Sequence, residues 1–112
     1  MRDSAMNANA MIYKILRLVE WRAFEAAGRF EGSPDDLRDG FIHFSSEEQV
    51  AGTLAKYFSG EREVMILSVD PGPLGDALRW EASRNGALFP HLYGVLSMKD
   101  VVAVTRVQPK EG

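Results

Sequence analysis

The stretch Gly40-Phe41-Ile42-His43-Phe44-Ser45-Ser46-Glu47-Glu48 joins a short apolar strand pattern to a helix start. A capping box is predicted here: Ser45 accepts from the third helical amide, and Glu48 reaches back to the backbone of Ser45. The predicted helix runs to about Phe58, and Gly60 follows as its terminator. Because free amides and the helix dipole attract anions, a strand that ends at a helix N-terminus favours ligand oxygens.

Short elements continue on both sides of this junction. The predicted strands cover 11–16, 40–44, 63–70, 78–82 and 101–107, and a helix is predicted over 18–27. The segment 88–96 contains the unusual run Phe89-Pro90-His91-Leu92-Tyr93-Gly94. The run Val64-Met65-Ile66-Leu67 is continuously apolar, which indicates a central strand covered on both faces. Ser33-Pro34 begins a turn or short helix that Gly40 ends. Strands dominate the second half, so the fold class is α+β, with about five or six strands and two main helices.

The composition narrows the class of protein. The chain has 112 residues, a formal net charge of −3 and no cysteine. One globular domain over 11–108 is predicted, preceded by a flexible N-terminal leader over 1–10. Lack of cysteine excludes disulfides and thiol chemistry, and it fits a cytoplasmic protein. The absence of a basic excess argues against general nucleic-acid binding, and no run approaches the roughly 20 apolar residues of a membrane span.

The two histidines are the first candidates for chemistry. His43 and Ser45 share one side of an extended strand, so they are predicted to contact one ligand together. The alternative is that His43 is a half-buried strand residue and Ser45 only a cap. His91 and Tyr93 have the same spacing, and Pro90 keeps the chain extended before them. They either line a pocket for a flat ring or belong to an ordinary edge strand or turn with one buried tyrosine.

Two further side chains carry charge in apolar surroundings. Glu81 follows Trp80, and desolvation beside a large aromatic ring raises the pKa of a carboxyl group, which suits an acid or base. The alternative is a solvated strand residue. Lys14 lies between Tyr13 and Ile15, where its ammonium either reaches solvent or faces a polar pocket. We favour the pocket, because both neighbours are apolar.

Other kinds of site lack support in the sequence. The two histidines are far apart and have no carboxylate at ligand spacing, so no metal site is predicted. Ser45 or Ser46 with a histidine and Asp70 makes a formal triad, but neither serine lies in a nucleophile elbow. No glycine loop of the kind that binds phosphates is present either.

Three segments occur in order along the chain: Ile12-Tyr13-Lys14-Ile15, Gly40-Phe41-Ile42-His43-Phe44-Ser45 followed by Gln49, and Phe89-Pro90-His91-Leu92-Tyr93-Gly94. With them, from about 11 to 107, the chain resembles the small bacterial family catalogued as domain of unknown function 952. That family is grouped by fold with the ADP-ribosyltransferase-like proteins. Within that group it looks most like the RNA 2′-phosphotransferases.

The resemblance to those transferases has three parts. They have a Tyr-His strand near the start, a His-hydrophobic-Ser strand end before a helix, and a later strand ending in Val-Asp. The matching positions here are Tyr13-Lys14, His43-Phe44-Ser45 and Val69-Asp70. The resemblance implies a split-sheet ADP-ribosyltransferase-like fold with an NAD-like or ADP-ribose-like ligand in its cleft. The chain departs from the pattern at Lys14, where the relatives have a histidine that helps to hold the ribose.

Three functions follow from these residues. In the first, Lys14, Ser45, His91 and Tyr93 bind a nucleotide, and His43 and Glu81 catalyse ribosyl or phosphoryl transfer. NAD is then a substrate, no cofactor is required, and Glu81 stabilises a cationic ribosyl centre. In the second, the same cleft senses a nucleotide metabolite without catalysis. In the third, both motifs serve packing and no ligand binds.

Overall fold

Eight strands and three α-helices form within residues 10–83 and 85–108, the part of the chain that the computed structural model describes. The strands are β1 (Ile12–Arg17), β2 (Arg29–Phe30), β3 (Ile42–His43), β4 (Val64–Val69), β5 (Leu78–Ala82), β6 (Leu88–Leu92), β7 (Leu96–Ser97) and β8 (Val101–Val107). The α-helices are α1 (Leu18–Ala27), α2 (Pro34–Asp39) and α3 (Val50–Tyr57). Short 3-10 helices cover Glu47–Gln49, Gly72–Ala77 and Met98–Asp100. The fold is α+β, as predicted.

The strands form three antiparallel sheets. The first has the order β1-β4-β8, the second pairs β2 with β7, and the third has the order β3-β6-β5. The predicted central position of the apolar run is confirmed, because β4 lies between β1 and β8. The backbones of Tyr13 and Ser45 exchange two hydrogen bonds of 2.8 Å, which joins the edge of the first sheet to the segment that follows β3.

Two apolar clusters cover the faces of the first sheet. Because side chains alternate along a strand, Leu16 packs into one cluster and Ile15 into the other. The larger cluster contains Phe24 of α1 together with Ile12, Leu16, Phe30, Ile42, Phe44, Met65, Leu67, Val69, Leu92 and Leu96. In the smaller cluster Val50, Leu54 and Phe58 of the helical segment pack on the sheet, as their spacing predicted. No helix within 10–83 and 85–108 is long and apolar enough to cross a membrane.

The structure has more strands than the expected five or six, because the two-residue strands β2 and β7 were not predicted as strands. Such short strands carry no readable alternation in a sequence. The strand predicted over 40–44 is present as the two residues of β3. The segment after Ser33 forms a short helix, α2, as predicted, with Ser33 as its N-cap and the αL residue Gly40 after its end. Except for Ala10, the predicted leader lies outside the described residues.

The helix start after β3 differs from the predicted capping box. The N-cap is Ser46 and not Ser45, and the reciprocal side chain is Gln49 and not Glu48. Gln49 Oε1 accepts from the Ser46 amide at 2.9 Å, and Gln49 Nε2 donates to the carbonyl of Leu88 at 2.8 Å. Ser45 is withdrawn from the cap, because its backbone pairs with Tyr13. A tertiary strand contact has therefore moved the helix start by one residue.

Gln49→Ala is expected to lower the free energy of unfolding by about 1 kcal/mol, since it removes both hydrogen bonds of that side chain. Glu48→Ala is the matched control, because Glu48 is exposed, and we expect a change within about 0.5 kcal/mol. Urea unfolding of the two variants measures the difference. Equal losses would mean that Glu48 supports the helix start as the sequence suggested.

Candidate functional site

One face of the third sheet collects most of the candidate side chains. His91 on the middle strand β6 lies directly opposite His43 of β3 and directly opposite Arg79 of β5. Directly opposed residues of antiparallel strands point to the same face, so these three form a transverse row. Glu81 lies two positions along β5 from Arg79 and therefore shares that face. We call this surface, with Phe41 and Tyr93 described below, the histidine face.

A buried ion pair supports one end of the histidine face. Lys14 Nζ lies 2.9 Å from Asp36 Oδ2 and 3.2 Å from Oδ1, and it donates to the carbonyl of His43 at 3.0 Å. The two side chains are only 7% and 2% exposed. Asp36 also accepts from the amides of Ser33 and His43, at 2.9 and 3.1 Å. Both oxygens of Asp36 and all three protons of the Lys14 ammonium therefore have partners within the chain.

Asp36 also orients the His43 ring. His43 Nδ1 lies 2.6 Å from Asp36 Oδ1, and His43 Nε2 lies 3.0 Å from Oδ2 of Asp39 at the end of α2. Burial alone would raise the pKa of the Asp36 carboxyl, but the hydrogen bond from His43 and the charge of Lys14 outweigh it and hold that pKa well below its usual range. Burial lowers the pKa of the Lys14 ammonium, against the opposing effect of Asp36. Because ionised Asp36 only accepts, Nδ1 of His43 carries a proton.

A second hydrogen-bonded group lies at the other end of the face. Glu81 Oε1 accepts from His91 Nδ1 and from the Tyr93 hydroxyl, both at 2.7 Å. The hydrogen bond from His91, followed by that from Tyr93, lowers the pKa of Glu81 below its ordinary value. This direction is opposite to the one predicted from the neighbouring Trp80, because Trp80 points to the other face of β5. The Glu81 carboxylate is thus suited to electrostatic stabilisation and not to proton donation at neutral pH.

Phe41 joins the two groups. Its ring stacks on His91 with centroids 4.0 Å apart, and it lies 4.7 Å from the ring of His43 and 5.2 Å from that of Tyr93. The two imidazole rings meet edge to face at 5.5 Å. Phe41 precedes β3. Its ring, with those of His43, His91 and Tyr93, makes one continuous surface of four rings. Flat heteroaromatic ligands stack on surfaces of this kind.

The structure brings five of the six predicted site residues to this region and leaves one apart. His43, His91, Tyr93 and Glu81 share the histidine face, and Lys14 lies beneath it. The hydroxyl of Ser45 is buried and bonds Thr53 Oγ1 of α3 at 3.0 Å. The roles predicted for these six residues stay predictions. For Lys14 and Ser45 to contact a ligand, each would have to release its present partner.

Four residues of the region were missed at the level of sequence: Asp36, Asp39, Phe41 and Arg79. A signal for Asp36 was available, because Ser33 followed three residues later by an acidic residue is a capping pattern. The pattern does not show that the same carboxylate would also reach Lys14 and His43. Lys14 is 22 residues and His43 is 7 residues from Asp36 along the sequence, and the tertiary fold brings them together.

Two cavities lie near these elements, and one of them reaches the histidine face at Phe41. One, of about 150 Å³, is lined by Asp36, Leu37, Phe41 and Gly94 among others. The other, of about 380 Å³, lies between α1 and β2 and is lined by Phe24 and Phe30 among others. Neither is lined by His43 or His91. In the described residues no three His, Cys, Asp or Glu side chains are grouped to hold a metal ion.

The hydroxyl of Tyr93 reports the charge of Glu81. Its hydrogen bond to the Glu81 carboxylate favours the protonated phenol and raises the pKa of Tyr93 above its ordinary value. We expect an ultraviolet titration of the protein to show a late tyrosine component that Tyr93→Phe removes. Glu81→Gln is expected to move that component to lower pH, because the amide carries no charge. An unchanged late component in Glu81→Gln would contradict the hydrogen bond.

Comparisons with known proteins agree with the resemblance read from the three sequence segments. The family described as Protein of unknown function (DUF952) matches residues 15–104. The chain belongs to this family. The DUF952 membership predicted from the sequence is thereby confirmed, while its grouping with ADP-ribosyltransferase-like proteins stays a prediction.

The chain is similar to two solved structures of protein CC0527 from Caulobacter crescentus. The X-ray crystal structure is 52% identical, with a TM-score of 0.82, and the match covers 86% of this chain and 84% of that one. The solution NMR structure is 53% identical, with a TM-score of 0.77 and coverage of 85% and 82%. No curated protein matches the chain. The comparisons thus support the fold along most of the chain's length.

Proposed function

We propose that the histidine face binds a small nucleotide-type ligand of the NAD or ADP-ribose kind. The observation that carries this proposal is the convergence of His43, His91 and Tyr93 with Phe41 and Glu81 on one partly exposed face. A packing role for both motifs would not need two histidines whose Nδ1 atoms are each held by a carboxylate. Aromatic rings beside an ionised carboxylate suit the flat, cationic nicotinamide ring of NAD.

Catalysis on this face would be ribosyl transfer. The bond between nicotinamide and the ribose carbon breaks, nicotinamide leaves, and the same carbon forms a bond to an acceptor nucleophile that gives up a proton. Glu81 would stabilise the cationic ribosyl centre, and its lowered pKa supports that role because the carboxylate stays charged. The proton of the acceptor passes to solvent, and His43, whose two ring nitrogens are held by Asp36 and Asp39, would orient the acceptor. NAD is the substrate in this scheme, and the cysteine-free chain fits a cytoplasmic protein.

Binding without turnover is the second candidate. It is favoured by Lys14, which stands where the resembling transferases have a ribose-holding histidine. The Lys14 ammonium points to Asp36 and to the carbonyl of His43 and not toward the histidine face. A protein of this kind would sense the nucleotide and pass its bound state to a partner. Chromatography of NAD incubated with the protein separates the two candidates, because ribosyl transfer releases nicotinamide and binding alone does not.

The test of binding is a thermal-shift titration with NAD, ADP-ribose, nicotinamide and a 2′-phosphorylated nucleotide. A ligand that binds only the folded state adds about 2.7 kcal/mol at a hundredfold excess over its dissociation constant. We expect a rise in melting temperature with NAD or ADP-ribose. No shift with any of the four at millimolar concentration would refute the proposal.

His43→Ala is expected to abolish that shift. The side chain of His43 is 37% exposed, so the melting temperature of the free variant should fall by only about a few degrees. Glu48→Ala serves as the matched control, since that exposed side chain lies outside the histidine face. A large loss of stability together with an unchanged ligand shift would make His43 a packing residue.

A further inference from the structure

We propose that Arg79 forms a phosphate-binding subsite at the β5 end of the histidine face. This inference rests on the proposed function and adds to it the group that recognises the anionic part of the nucleotide. The ligand class it specifies is a nucleoside diphosphate and not a free nucleoside or base.

The argument begins with the cations near the face. The Lys14 ammonium is buried, and its three protons are used within the chain. Arg38 forms ion pairs with Asp35 and Asp39. Among the ion pairs within 10–83 and 85–108, none involves Arg79, whose side chain is exposed. Unlike Lys14 and Arg38, Arg79 therefore keeps N–H donors that a ligand on this face can use.

The guanidinium of Arg79 is held in a defined place. It lies over the Tyr93 ring, 4.8 Å from the ring centroid. A guanidinium that stacks on an aromatic face keeps its N–H groups in the plane of the fork, where they are directed outward. Two parallel N–H groups then match two oxygens of one phosphate. The Tyr93 ring is fixed in turn by its hydrogen bond to Glu81.

The register places this guanidinium beside the rest of the histidine face. Arg79 is directly opposite His91, and His91 is directly opposite His43. Neighbouring strands are about 4.8 Å apart, so the row spans roughly 10 Å across the sheet. That length matches a ring stacked on the aromatic part of the face with its phosphates extended toward β5.

The nearest negative group does not block this subsite. Glu81 lies two positions along the same strand, but its Oε1 is directed to His91 Nδ1 and to the Tyr93 hydroxyl. Those two donors take up part of the charge that a phosphate would meet. Two other carboxylates lie at the β3 end of the face. Asp36 pairs with His43, and Asp39 pairs with His43 and Arg38.

The test compares two probes that differ in their phosphates: NAD and nicotinamide riboside. Calorimetry gives the dissociation constant of each for the wild type, for Arg79→Gln and for Arg22→Gln. Arg22 is exposed on α1, outside the third sheet, and provides the matched loss of one positive charge. We expect Arg79→Gln to weaken NAD at least about tenfold, the usual effect of a lost charge-assisted pair, and to leave nicotinamide riboside within about twofold. Arg22→Gln should change neither.

Failure of the subsite and failure of the proposed function give different results. Wild-type protein that binds neither NAD nor nicotinamide riboside overturns the proposed function and the subsite with it. Wild-type protein that binds NAD while Arg79→Gln binds it equally well overturns the subsite alone. An equal loss for both probes also overturns it, because the residue would then act on the whole face. As a second readout, inorganic diphosphate should shift the NMR signals of Arg79 and His91 in the wild type. The shift of the His91 signal should disappear in Arg79→Gln.

Discussion

Asp36→Asn is expected to lower the free energy of unfolding by about 3–5 kcal/mol. The substitution leaves the Lys14 ammonium buried without a countercharge, since the carbonyl of His43 and one neutral amide oxygen are then its partners. Desolvated charges are costly when unpaired, and the geometry gives Lys14 no path to solvent because its side chain is only 7% exposed. The NH2 end of the amide also places donors against one of the groups, Lys14 or His43, that donate to Asp36 in the wild type.

Urea unfolding followed by circular dichroism measures this loss. Asp35→Asn is the matched control, because Asp35 precedes Asp36 on the same helix but is 67% exposed and pairs only with Arg38. We expect the control to change stability by less than about 0.5 kcal/mol. The double substitution Lys14→Met with Asp36→Leu should recover part of the loss, because both buried charges are then absent. An Asp36→Asn variant as stable as the control would show that the ion pair does not support the fold.

The same carboxylate predicts an acid dependence. The pKa of Asp36 in the folded chain lies below its ordinary value of 3.8. A depressed carboxyl pKa stabilises the fold at pH values above the ordinary pKa, and this contribution is lost progressively as the pH falls below it. The wild type should therefore lose stability below about pH 4, and Asp36→Asn should lose less over that range. Parallel unfolding curves from pH 7 to 3 compare the two slopes.

Local patterns in the sequence predicted the elements that bury a continuous or periodic apolar face. The run from Val64 to Val69 became the central strand, and the spacing of Val50, Leu54 and Phe58 placed α3 on the first sheet. Strand β8 has the predicted bounds, 101–107. In each case the physical cause lies within a few residues along the chain, so the pattern is readable without a fold.

The site depends on contacts that no local pattern contains. Lys14 and Asp36 are paired because β1 and α2 meet beside the third sheet, and no residue near either in sequence indicates the other. The sequence did mark the histidines, Glu81 and Tyr93, since short polar–aromatic segments are uncommon in buried strands. It did not show that Trp80 and Glu81 point to opposite faces of β5. The pKa of Glu81 is therefore lowered by its hydrogen bonds to His91 and Tyr93, and not raised by Trp80 as predicted.

Phe24→Ala is expected to lower the free energy of unfolding by about 3–5 kcal/mol, because it removes a ring from the centre of the larger cluster. Phe24 is 1% exposed and packs on Trp21 and Phe30, with ring centroids 6.0 and 5.7 Å away. The cavity of about 380 Å³ already borders this ring, so truncation would enlarge it. Helices of this length depend on tertiary packing, which makes Phe24 the main attachment of α1.

Val19→Ala on the same helix provides the control, since Val19 is 72% exposed. We expect its stability to stay within about 0.5 kcal/mol of the wild type, because alanine also has the higher helix propensity. The two variants together separate the packing of α1 from its intrinsic helicity. If Phe24→Ala cost no more than Val19→Ala, the α1 face would not be part of the core. The histidine face is carried by other elements, so ligand binding by folded Phe24→Ala should match the wild type, whereas Asp36→Asn should weaken it through the orientation of His43.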